Sequence, residues 1–143
     1  MSGFQFHETM SGTFTRNGDE RPFRFTVEAR VPSLVQFLGD NRAAIAGHVD
    51  AGGLATHAPI AGHMVINPVL GGLIAYQFTF TGDDGKHYAF AGQKDVTARS
   101  PVRSMTTLPG AVTDDKGNRV ASADLMFDLR DLPQFLSSFR PLL

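Results

Sequence analysis

The chain contains no cysteine and no tryptophan. Without cysteine there is no disulfide, no thiol nucleophile, no iron–sulfur cluster and no cysteine zinc site. It also lacks an excess of either charge: 13 Lys and Arg stand against 14 Asp and Glu, for a net charge of -1. No basic field marks it as a nucleic-acid binder, and no nucleic-acid partner is expected. No apolar run approaches the ~18 residues of a transmembrane helix. The opening MSGFQFHETMSG has neither a positive nor an apolar region of a signal peptide, so the expected setting is cytoplasmic. Several motifs are missing as well. There is no G-x-G-x-x-G and no Walker A, hence no flavin or nucleotide fingerprint. There is no G-x-S-x-G hydrolase elbow and no H-E-x-x-H, and no cofactor is expected.

What is present is a globular composition in 143 residues, with 42% hydrophobic residues and 12 Phe. A chain of this length forms one domain, spanning 1–143, with a sizeable core. Its 15 Gly and 8 Pro punctuate short apolar segments. Residues 3–15 alternate, with Phe4, Phe6, Glu8 and Met10 on one face. Residues 22–31 alternate more cleanly: Phe23, Phe25, Val27, Ala29 and Val31 against Arg24, Thr26, Glu28 and Arg30. This period of two is that of a strand with one buried face.

Further strands are expected at 43–50, 57–67, 73–81, 86–97, 103–113 and 118–129. Gly82-Asp83-Asp84-Gly85 and the segment 114–118 carry hairpin signals. Two short helices are expected. One covers 32–39, with Pro32 in its first turn and Gly39 at its end. The other covers 130–140, with Asp131 as N-cap and Leu132, Phe135, Leu136 and Phe139 on its apolar face. That face most simply packs against or plugs one end of the fold, docking to a partner being the minor alternative. The expected fold is all-β: a single antiparallel, calycin-like barrel of about eight or nine strands with two short helices. Such a barrel is either filled by side chains or holds one small ligand. Two echoes run along the chain. Ile45-Ala46-Gly47-His48 recurs as Ile60-Ala61-Gly62-His63, and a strand leading into a helix start occurs at Phe25–Leu38 and again at Phe127–Leu136.

Glu8 shares its face with Phe4, Phe6, Met10 and Phe14, and Lys94 shares one with Tyr88, Phe90, Gly92 and Val96. Both charges then point inward, and a lone buried charge is costly. The simplest solution is that Glu8 and Lys94 meet inside the barrel. The pair is then a structural plug, a polar anchor in an apolar ligand cavity, or an acid/base pair. Ser104, Thr106 and Thr107 form a hydroxyl-rich patch, explained either by strand propensity or by a cavity lining. His48 and His57 would face one another across a hairpin turning at Gly52-Gly53. Two imidazoles at that spacing are no recognised ligand signature, and no metal site is expected.

Several segments together resemble a known family. They are Phe6-His7-Glu8-Thr9-Met10-Ser11-Gly12, Tyr76-Gln77-Phe78-Thr79-Phe80, Gly92-Gln93-Lys94-Asp95-Val96, Met105-Thr106-Thr107-Leu108 and Phe135-Leu136-Ser137-Ser138-Phe139-Arg140, with Gly47 in its IAGHVDAGG context. In this order the chain resembles the accessory, non-flavin domain of cholesterol-oxidase-like GMC oxidoreductases, here standing alone. The resemblance implies a link to sterol or lipid metabolism but no oxidase activity, and it leaves open an oxidoreductase domain recruited in trans. It carries no catalytic residues. Glu8, Lys94, Tyr76, Thr106 and Thr107 are the expected ligand-binding residues. The favoured function is a non-enzymatic barrel binding a small hydrophobic molecule such as a sterol or lipid. The alternatives are an isomerase- or cyclase-type enzyme using Glu8 and Lys94, and a filled structural barrel. A homodimer stays open.

Overall fold

A computed structural model describes residues 2–67, 72–97 and 99–142. Eight long strands follow one another: β1 (Phe4–Arg16), β2 (Asp19–Val31), β3 (Arg42–Ala51), β4 (Ala55–Ile66), β5 (Leu73–Thr81), β6 (His87–Asp95), β7 (Thr107–Asp114) and β8 (Arg119–Met126). Each pairs antiparallel with the next, and β8 and β2 both pair with β1. The sheet therefore closes into an up-and-down barrel, which removes its free edges. A two-residue strand, β9 (Arg140–Pro141), adds to the outer end of β1 at Phe4 and Gln5. Among the described residues no helix is long and apolar enough to cross a membrane.

Alternation determines which way each strand faces. Phe23, Phe25, Val27, Ala29 and Val31 are all buried, and the intervening Arg24, Thr26 and Arg30 are exposed. Asn17 and Gly18 join β1 to β2 with positive φ at both positions (50° and 79°), the backbone of a type I′ turn. The repeated I-A-G-H has a packing origin. A Cβ on Gly47 would lie 1.9 Å from the Thr26 carbonyl oxygen, and one on Gly62 would lie 1.9 Å from that of Gln77. Each copy marks a place where neighbouring strands leave no room for a side chain.

The helices depart from expectation in number and ends. The first, α1 (Leu34–Asp40), starts two residues later than Pro32 suggests. Ser33 caps it by accepting from the Gln36 N–H, and Asn41, at φ 57°, ends it in place of Gly39. A second helix, α2 (Pro101–Thr106), occupies the start of the segment expected as strand 103–113. Pro101 suits a first helical turn, and the strand begins only at Thr107. A 3₁₀ turn (Leu129–Asp131) leads into α3 (Leu132–Ser137). Asp131 stands at the N-cap of α3 but makes no capping bond with its side chain. Asp128 instead caps the 3₁₀ turn through the Arg130 N–H.

The two ends of the barrel differ. Tight hairpins close one end. Beneath them Phe14, Phe23, Phe25, Phe78 and Phe90 stack at ring distances of 5.0 to 5.8 Å. All three helices gather at the other end. There β1 pairs with β8 only over Ser11–Thr15, which leaves residues 6–10 without a β8 partner. The segment after α3 covers this seam: the Ser138 hydroxyl accepts from the His7 N–H at 2.9 Å and donates to the Phe135 carbonyl at 2.6 Å.

Candidate functional site

Glu8, Tyr76 and Lys94 come together where the phenylalanine core gives way to the helical end. Each projects inward because it lies on the apolar parity of its strand, β1, β5 and β6 respectively. Their exposures are 7%, 1% and 3%, and Glu8 and Lys94 are the two buried charged residues among those described. The Tyr76 hydroxyl donates a short hydrogen bond to Glu8 Oε1. Lys94 Nζ lies 3.5 Å from Glu8 Oε2 and 5.1 Å from the centre of the Tyr76 ring. The ammonium thus has a carboxylate on one side and an aromatic face on another. Burial, followed by the charge of Glu8 and the bond to it, pushes the Tyr76 phenol well above its ordinary pKa. Tyr76 therefore stays protonated and remains the donor.

The three side chains border a cavity of about 630 Å³. Ile66, Ile74 and Met64 form one wall, Phe4, Phe6 and Phe37 a second, and Phe127 and Phe135 a third. Its mouth is rimmed by Val102, Met105, Leu129, Leu132 and Phe139, all exposed. Large apolar side chains normally lose exposure on folding, and here five surround one opening. A second concavity of about 650 Å³ lies along the outer face of β4, β5 and β6 and holds no buried charge.

The expected site residues divide. Glu8, Lys94 and Tyr76 meet, and Thr106 lines the same cavity. Thr106 gets there from a helix, however, and its hydroxyl donates to the Val102 carbonyl at 2.8 Å. Thr107 does not line the cavity. It opens β7, and its hydroxyl donates to the Arg103 carbonyl at 2.8 Å, so both threonines help end α2. Ser104 belongs to α2 too and accepts from the Thr97 N–H at 3.0 Å. The apolar face of 130–140 packs against the barrel end through Phe135 and Phe139 on Phe6, and walls the cavity there without filling it: Leu132, Phe135 and Phe139 line it, while Leu136 is exposed. The sequence reasoning missed Val102 and Met105, whose i, i+3 spacing straddles the start of the strand expected at 103–113.

The two histidines do meet. A bulge in β3–β4 gives His57 a φ of 45°, and its ring stacks on that of His48 at 4.0 Å, although Pro59 is the register partner of His48. Asp50 accepts from the His57 N–H at 2.7 Å. Among the described residues no group of three or more His, Cys, Asp or Glu is placed to hold a metal ion.

No family model matches the chain, and neither does any curated protein or solved structure.

Proposed function

We propose that this barrel is a binding protein for one small hydrophobic molecule, held at its helical end. The observation that carries the reading is the apolar 630 Å³ cavity with its single polar cluster of Glu8, Tyr76 and Lys94. Ligand sites of ~300–1,000 Å³ are typically built this way, from apolar walls and a few converging polar groups that fix orientation. An apolar occupant would also cover the exposed rim side chains. The resemblance to accessory domains of cholesterol-oxidase-like proteins supports sterols and other lipids as the ligand class, with an oxidoreductase domain as partner in trans. The proton-transfer alternative is less favoured, because both oxygens of Glu8 are already engaged.

Titration with Nile red, an uncharged dye that fluoresces in apolar surroundings, tests the reading. One dye should bind per chain, and Ile74→Trp, which fills the cavity from its wall, should abolish the signal while leaving the fold intact. A flat titration, or a signal indifferent to Ile74→Trp, would contradict it.

A further inference from the structure

The polar cluster has a property that selects among hydrophobic ligands. Glu8 and Lys94 carry opposite charges, and Tyr76 keeps its proton. The patch facing the cavity is therefore dipolar but carries no net charge. Tyr76 occupies Glu8 Oε1, and Lys94 reaches Glu8 Oε2. An ammonium has three N–H donors and no acceptor. One of those of Lys94 points at Glu8, and the ring of Tyr76 lies against the cation without accepting a hydrogen bond in the plane. The unused donors of Lys94 border the cavity, and Glu8 keeps acceptor lone pairs beside them. Thr106 has committed its proton to Val102, so its hydroxyl oxygen faces the cavity as an acceptor.

A carboxylate entering this cavity would leave one uncompensated negative charge. Lys94 is the lone cationic side chain among the described lining residues, and Glu8 already neutralises it. Buried charge without a partner is strongly disfavoured. A plain hydrocarbon would instead leave the donors of Lys94 unused. We infer that the ligand is an uncharged amphiphile whose one polar end is a neutral oxygen group, a carbonyl or a hydroxyl, that accepts from Lys94. Ionised fatty acids are excluded by charge. The inference rests on the cavity being a ligand site, as proposed above.

Three probes of equal chain length separate the possibilities: methyl dodecanoate, dodecanoate and dodecane, each displacing Nile red from the full chain near neutral pH. The ester should displace the dye at a concentration lower than dodecanoate by about tenfold or more, and lower than dodecane as well. In Glu8→Gln the cluster keeps Lys94 alone as a net positive charge, so dodecanoate should overtake the ester. The wild-type order alone decides the matter should that variant not fold. Dodecanoate matching or beating the ester on the wild-type chain would overturn the inference, as would dye binding that the ester cannot displace. Failure of Nile red itself to bind would instead overturn the binding reading, and the inference with it.

Discussion

The two ends of the barrel each hold a tyrosine that donates to a carboxylate, and they use it differently. At the hairpin end Tyr88 donates to Asp84 at 2.6 Å, and Asp84 also accepts from the Lys86 N–H, so the bond closes a turn. That carboxyl is exposed and held below its ordinary pKa, chiefly by the Tyr88 bond. At the helical end Tyr76 donates to Glu8, but both are buried beside a cavity, with Lys94 as the compensating charge. The same pair of groups ties down a loop where the core is full and lines a site where the core is hollow. The difference lies in the neighbours. Phe78 and Phe90 fill the section beneath the hairpins, and helices carrying exposed apolar side chains frame the other opening. Packing is the duty of one end, and the other end gives up packing to leave space.

This contrast predicts unequal costs of truncation. Phe90→Ala, in the filled half, should destabilise the protein by about 3–5 kcal/mol, because the vacated volume cannot collapse. Ile74→Ala only enlarges an existing opening and should cost well under half of that. Urea unfolding of both variants checks the ratio, and equal losses would erase the distinction between the ends. Next in size is Lys94→Met. It leaves Glu8 buried without its cation and should cost roughly 3 kcal/mol near neutral pH. Adding Glu8→Gln to it should restore much of the loss, since both charges are then gone. A double-mutant cycle measures that coupling. Tyr76→Phe removes a donor from a buried carboxylate and should cost about 1–3 kcal/mol.

The smallest effect belongs to the hairpin end. The pKa of Asp84 is lowered in the folded chain. Its contribution is therefore present above the unfolded carboxyl pKa of ~3.9 and is lost as pH falls through the lower folded value. Asp84→Asn should remove that part of the acid dependence, so that melting temperature falls less steeply below about pH 4 in the variant than in wild type. Identical acid limbs would show that the Tyr88–Asp84 bond contributes nothing.

Much of the barrel was legible because period-two alternation survives wherever one face is buried. The run from Phe23 to Val31 is the clearest case, and the same parity places Glu8 and Lys94 inside. Tyr76 was legible only alongside them, since a tyrosine is at home in many strands. The helical end was harder. Segment 101–106 has too few residues to show a helical period, so its residues 103–106 read as the start of a strand, and Thr106 and Thr107 fall into one group although they face different surroundings. The Asn17-Gly18 turn, which the sequence reading did not use, starts β2 at Asp19, three residues before the alternation expected from 22. The seam beside residues 6–10 could not be read at all. It depends on which strands end early, and Ser138 reaches His7 across 131 positions of chain.

The most direct test of a hollow end set against a filled one is a native mass spectrum of the purified protein, with the denatured mass as reference. The account predicts that the chain, as isolated or after incubation with methyl dodecanoate, carries one small molecule that denaturation releases, and that Ile74→Trp abolishes the adduct. A chain that shows its bare mass under both conditions would contradict it.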